Sequence, residues 1–468
     1  MAGLLEVQQE ALKASGGREG GFAYWMEMGL GKTYTALTEF VQLVAEGKAT
    51  RLVVVCPNSF KTGWRDEIVK QGVNVDPWIY SSGADNDRFL IKRYDKPPVV
   101  IVNYEAIRRA GTQEFIRKFV ARRKCMVVFD ESIQLKTNNS LQTKAAIMLA
   151  REFKYARILS GKPMTQGPHD LWGQMRALGK LNGMNYYSFR NLFCKMGGYM
   201  AKKVVGAQNE KLLAEMIDPH VFRATKARWT DLPPKIPIIR EFSMAPGQVS
   251  RYRSMEEEFV AWLKNGDEVT VEAAITKYIK LAQIKFGFII DEDGKTHELV
   301  ERANNPHVNT VKEIIETEVT GKTVVVYHHR YAGEVLLGEL AEYSPAFIKG
   351  GMTPEEITYH RDRFNRDNVC RVICIQTTAG RYGHTLIGGD EPENHCSTMI
   401  FAENTWSLDT RSQLEDRIHR IGQKGDSCLY LDLVCSPLDR KIVHALQEKQ
   451  NIFDAVMKHV GRSQAKAA

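Results

Sequence analysis

The sequence predicts an α/β protein: two parallel-sheet domains in tandem, each with a helical insertion. Continuous apolar runs at residues 22–26, 51–56, 98–102, 124–129 and 156–159 alternate with helical patterns. Strands that are apolar on both faces belong to parallel sheets covered by helices on either side. A second series at 323–327, 371–375, 398–402 and 429–433 repeats the pattern after Pro233-Pro234. Only the first series opens with a glycine-rich turn between a strand and an amphipathic helix. The expected division is 1–232, with a helical insertion at about 170–227, and 233–468, with one at about 248–310.

The 468 residues leave room for two large domains, and 43% hydrophobic with 26% charged residues fits a globular chain with extensive cores. No apolar run is long enough to span a bilayer, so no membrane partner is expected. The beginning MAGLLEVQQEALK has neither a basic leader nor a cleavage site. The expectation is an intracellular protein, cytoplasmic in a bacterium or a virus-infected cell rather than nuclear. Eight cysteines are scattered, the closest pair being Cys370 and Cys374 in the strand-like VCRVICI, and read as reduced core residues. The net charge of +8 fits a polyanion-binding surface without demanding one.

Residues 21–33, GFAYWMEMGLGKT, read as strand, glycine turn and helix start. Met28, Gly29, Leu30, Gly31, Lys32 and Thr33 would wrap backbone N–H groups around a polyphosphate, with Lys32 on the β and γ phosphates and the Thr33 hydroxyl on Mg²⁺. Met26 stands where the general motif has its first glycine. The short helix before the turn presents Gln8 and Gln9. Asp130-Glu131, at the end of another buried strand, adds a carboxylate for Mg²⁺ and one to orient the attacking water. Pro57-Asn58-Ser59, Asn103-Tyr104-Glu105 and Ser160-Gly161-Lys162-Pro163 also end strands, where ligands of parallel sheets gather.

In the second half, QLEDRIHRIGQ (413–423), if helical, puts Gln413, Arg417 and Arg420 on one face at four- and three-residue spacing. Two arginines so placed suit charge neutralisation at a γ phosphate. A solvated basic helix with internal ion pairs is the bland alternative.

Taken together, EMGLGKT, VVCPNSF with Trp64 behind it, DESIQLK, LSGKPMTQG with Asp170-Leu171-Trp172, FRATK before LPPK, and QLEDRIHRIGQ resemble the ordered motifs of superfamily-two helicases of the SWI/SNF type. The likeness runs from Gln9 to Lys449. It implies two RecA-like lobes closing on ATP with Mg²⁺, and duplex DNA bound without sequence preference. By matched position Gln9 would contact adenine, Lys32 and Thr33 the phosphates and metal, Asp130 and Glu131 the metal and water, and Arg417 and Arg420 would be arginine fingers. Asn58, Ser59, Asn103, Tyr104, Gly350, Thr377, Thr378 and Trp406 fall in segments that in this family touch DNA or couple it to ATP.

Beyond Met26, the departures are Ile133 for the histidine of the usual DEAH or DEGH box, Lys162 for a threonine of TGTP, and 376–385 as a loose STxAGGxGxN. They bear on coupling between lobes more than on phosphate chemistry. His328-His329 read as polar surface or DNA-facing residues, His395 has no evident partner, and Tyr186, Tyr187, Phe189 and Phe193 read as packing. The expected function is an ATP-dependent translocase on duplex DNA, possible alongside a targeting partner protein. The alternatives are an ATP-gated nucleic-acid clamp and an RNA helicase.

Overall fold

The computed structural model describes residues 3–460 apart from 82, 84, 182, 199–202, 265–270 and 381–383. The chain divides into two compact units, 1–231 with 448–468, and 232–447.

In the first unit the strands are β1 (Gly20–Met26), β2 (Arg51–Cys56), β3 (Asp76–Ile79), β4 (Pro98–Asn103), β5 (Cys125–Phe129) and β6 (Tyr155–Ser160), then a hairpin of β7 (Cys194–Gly197) and β8 (Lys203–Ala207), then β9 (Val221–Ala224). The seven-stranded sheet has the order β3-β4-β2-β5-β6-β1-β9, and every pairing is parallel. Alternate residues of one strand enter different cores: Val53 and Val55 pack with Phe129 and Ile158 on one face, Leu52 and Val54 with Leu37 and Phe40 on the other. Two buried faces are the reason these strands read as unbroken apolar runs.

The second unit contains β10 (Lys235–Glu241), the hairpin β11 (Phe288–Ile290) and β12 (Thr296–Glu298), β13 (Lys322–Tyr327), β14 (Ala346–Ile348), β15 (Val372–Gln376), β16 (Cys396–Phe401) and β17 (Cys428–Val434). Its six-stranded parallel sheet runs β10-β17-β16-β13-β15-β14. Helices Pro246–Lys264 and Val271–Lys285 form the insertion, and 291–295 make the tip of the hairpin, where Asp291 N–H donates to the Lys295 carbonyl at 2.9 Å. The tandem of two parallel sheets with helical insertions is the expected architecture.

In the two large sheets four strands escaped the sequence reading. β3, β9 and β14 have only three or four residues, β10 has seven, and β3 and β10 carry Pro77 and Pro237. All four lie at sheet edges, where alternation is weak and proline is tolerated. The insertion at 170–227 is correspondingly mixed, with β7, β8 and β9 among its helices. The helix Pro437–Met457 begins in the second unit and ends in the first, where Val456, Met457 and Val460 are buried in the core. The expected second domain therefore loses its last twenty-odd residues to the first. An amphipathic helix does not state in its sequence which core its apolar face will join.

All eight cysteines are free, seven of them buried. Among the described residues no helix is long and apolar enough to cross a membrane.

Candidate functional site

In the first unit β1 ends at Met26, and the helix Lys32–Ala45 starts six residues later. The backbone between them is left-handed at Gly29 (φ +96°) and at Gly31 (φ +78°), which caps the helix without a side-chain hydrogen bond. Glycine is needed at both places. Met26 is fully buried as the last residue of a regular strand, so this chain has no need of glycine there. The uncapped helix N-terminus suits a polyphosphate.

Lys32 is buried, and its Nζ lies 3.3 Å from Glu131 Oε1. Glu131 is itself left-handed (φ +47°), a strained conformation for a residue with a Cβ. Asp130 accepts from the Trp64 indole N–H at 2.8 Å and from the Glu131 backbone N–H at 2.9 Å, and its carbonyl accepts from the Tyr104 hydroxyl at 2.8 Å. Burial, with Glu131 adjacent, pushes the Asp130 carboxyl up to about 6. Two crowded carboxylates, with the Thr33 hydroxyl one residue after Lys32 in the sequence, are hard-oxygen donors of the kind that fits Mg²⁺, which needs few protein ligands when phosphates supply the rest.

The loop after β6 joins this group. A Cβ on Gly161 would lie 3.7 Å from Lys32 Nζ and 3.4 Å from the Met28 backbone nitrogen. Ser132 donates to Gln174 at 2.8 Å, Gln174 donates to the Pro163 carbonyl at 2.6 Å, and Asp170 accepts from the backbone N–H groups of Thr165 and Gln166 at 2.8 Å each. Ile133, at the departure from the DEAH box, is simply buried.

The helix Glu6–Ser15 brings a glutamine to the turn, but it is Gln8. A Cβ on Gly31 would meet Gln8 Nε2 at 2.0 Å, whereas Gln9 is exposed and donates to the Leu4 carbonyl at 3.1 Å. The two residues face different sides because one helical step turns the chain by about 100°. Tyr104 is buried, and its hydroxyl donates to the Asp130 carbonyl. Asn58 and Ser59 are exposed and Asn103 is half-buried.

In the second unit, the helix Leu408–Glu415 ends before Arg417, and 416–420 continue as turns. The expected single helical face for Gln413, Arg417 and Arg420 is therefore absent. His419 Nε2 lies 2.9 Å from the Pro233 carbonyl, and Gln423 donates to the carbonyls of Ile418 (2.8 Å) and Cys396 (3.0 Å), which bends the segment back on itself. His395, without a partner in the sequence reading, pairs with Gln423. Arg417 is buried, donating from Nε to the Gln413 carbonyl at 2.8 Å. Arg420 remains half-buried, and burial holds its guanidinium below the ordinary value. Burial together with the charges of Arg417, Arg361 and Arg420 pushes the His384 imidazole down to about 4.

His328 and His329 are not simple surface residues. Glu403, just past β16, accepts from both of their backbone N–H groups at 2.7 and 2.9 Å and pairs with His329 Nδ1 at 2.6 Å. Burial alone would raise the Glu403 carboxyl, but the imidazolium and the two amides hold it at about 2. His328 Nδ1 contacts the Thr377 hydroxyl at 2.7 Å. Thr377 is thus buried, while Gly350 and Thr378 are exposed and Trp406 keeps 38% of its surface. Of the loose motif at 376–385, residues 381–383 lie outside the described residues.

The chain matches the SNF2-related domain over residues 24–285 and the helicase conserved C-terminal domain over 306–422. It is 26% identical to a "SWI/SNF-related matrix-associated actin-dependent regulator of chromatin subfamily A-like protein 1" of Drosophila melanogaster, over 97% of this chain and 56% of that protein. It is 23% identical to the human "DNA annealing helicase and endonuclease ZRANB3", over 97% of this chain and 40% of that one. The chain spans about half the length of the curated relatives it matches. A solved structure, "Sulfolobus solfataricus SWI2/SNF2 ATPase core in complex with dsDNA", aligns with 98% of this chain and 94% of its own at 21% identity and a TM-score of 0.43.

Proposed function

Because this chain belongs to the family of SNF2-related domains, the helicase-like ATPases of the SWI/SNF type, we propose that it is a DNA-stimulated ATPase that moves along duplex DNA without separating the strands. The observation that carries the reading is the buried group formed by Lys32, Glu131 and Asp130 beneath a left-handed glycine turn. Phosphates entering the turn compete with Glu131 for the Lys32 ammonium. Once released, the Glu131 carboxylate orients water against the γ phosphate. The water oxygen bonds to the γ phosphorus as the P–O bond to the β phosphate breaks; the electron pair leaves on the ADP oxygen and the water proton passes to the released phosphate. Thr33 and Asp130 would hold Mg²⁺, which would neutralise phosphate charge. Arg420, by its matched position in the family motif, is the proposed arginine finger, an effect of roughly 10³ to 10⁵ in rate.

Asn58, Ser59, Asn103, Gly350, Thr378 and Trp406 supply backbone contacts to DNA. Such contacts give sequence-independent, salt-sensitive affinity. An ATP-gated clamp is the second reading, favoured by one observation: Arg417, expected as a finger, is buried.

The test measures steady-state ATPase without nucleic acid and with single-stranded DNA, duplex DNA and RNA, alongside displacement of a third strand from a triplex. Duplex stimulation with triplex displacement, and a tailed duplex that stays paired, is expected. Stimulation without displacement selects the clamp. Efficient unwinding of a tailed duplex overturns the proposal.

A further inference from the structure

Lys162, which replaces a threonine in the loop after β6, donates to the Gln450 side chain and lies with its Nζ 5.1 Å from the centroid of the Phe453 ring. One strand order away on the other side of β1, Arg223 of β9 donates to the Met457 carbonyl at the end of the same helix. A cation is favoured at that end by the helix dipole. Residues 450 and 457 are two helical turns apart, about 10 Å. From β6 across β1 to β9 is two strand spacings, also about 10 Å.

The geometry points to the C-terminal helix as a positioning strap for the nucleotide loop. It ties together the two strands that flank β1, and through Lys162 it fixes the loop whose Gly161 backs onto Lys32 and Met28. Lys162, Gln450 and Phe453 are positioning residues: they act on the reacting groups through Gly161. Further along, the same loop is held at Pro163 by Gln174 and at Thr165 and Gln166 by Asp170, so Lys162 adds the tie next to Gly161. A threonine at 162 is too short to reach Gln450. The departure from the family motif and the placement of the helix thus form one device. This rests on the ATPase reading for its effect on turnover, but not for its effect on the loop.

The test uses the full chain with Lys162→Met, Gln450→Leu, both together, and Gln450→Glu, which can still accept from Lys162. Two quantities are read: hydrogen exchange in peptides covering 160–166, and kcat and KM for ATP. Each single loss should speed exchange in that loop while leaving β5 unchanged. Each should also lower kcat about 10-fold, as expected when a reacting group shifts slightly, with little change in KM. The double variant should be no worse than the worse single, and Gln450→Glu should behave like the parent. Parent-like exchange in 160–166 in Gln450→Leu overturns the strap, as does faster exchange spread over the whole unit. A parent chain without ATPase activity would overturn the proposed function instead, and the exchange result would still decide the strap.

Discussion

Lys32 Nζ and Glu131 Oε1 are 3.3 Å apart, and each side chain keeps only about a tenth of its surface exposed (11% and 10%). The two charges therefore neutralise each other. Lys32→Ala leaves Glu131 buried without its cation, so ATP binding and turnover should both be lost. Glu131→Gln keeps the loop and the lysine, so ATP should still bind while turnover falls by at least about 10³. Nucleotide binding by fluorescence beside steady-state turnover checks this, and equal loss of binding in both variants would reverse the assigned roles.

Gln8 packs its amide against Gly31, and Gln9 faces solvent. Gln8→Ala should raise KM for ATP by roughly 10-fold, the size of one lost hydrogen bond at a buried site. Gln9→Ala should leave KM unchanged. A larger effect from Gln9 would return the nucleotide contact to the residue first expected from the sequence.

Arg417 and Arg420 should part company. Arg417 is buried with its guanidinium on the Gln413 carbonyl, so Arg417→Ala should cost about 3 kcal/mol of stability or more. Arg420→Ala should leave the melting temperature within a few degrees and lower kcat by orders of magnitude, with a smaller change in KM. Thermal unfolding and kinetics on the same two preparations distinguish them.

The Asp130 carboxyl, raised to about 6 by burial and by Glu131, is neutral in the free enzyme below that pH and ionised above it. Only the ionised form holds Mg²⁺. kcat/KM for ATP should accordingly fall as pH drops through about 6 when measured at subsaturating Mg²⁺, and raising Mg²⁺ should shift the midpoint downward. A flat profile between pH 5 and 8 would contradict this.

Glu403 and His329 define a stability window. The carboxyl lies at about 2 against an ordinary 4.5, so its contribution is complete above 4.5 and fades as pH falls toward 2. His329 is raised above 6.5 because Glu403 outweighs the opposing effect of burial, so its contribution is complete below 6.5 and fades as pH rises through the raised value. Glu403→Gln should cost roughly 2 to 4 kcal/mol at pH 6 and less at pH 9. Denaturant unfolding at the two values gives the comparison.

The buried parallel strands were legible because both faces are apolar, as in 51–56 and 124–129, and the nucleotide turn because Gly29 and Gly31 adopt conformations that other residues resist. What stayed hidden depends on direction. Sequence does not distinguish Gln8 from Gln9, since either could face the turn. It does not show that Tyr104 and Thr377 point inward, because each follows a strand end where inward and outward sites alternate. The break after Glu415 was obscured by a charge pattern that suits a helix, while the bend is imposed by distant partners, Pro233 and Cys396. The pairing of Glu403 with His329 joins residues 74 positions apart and has no local signal.

The first unit takes Val456, Met457 and Val460 into its core, so it is assembled from both ends of the described chain. Synthesis is vectorial. At cellular elongation rates the stretch between 231 and 457 takes on the order of tens of seconds to emerge. Throughout that interval the nascent first unit lacks Val456, Met457 and Val460, and the apolar surface they cover stays open to water.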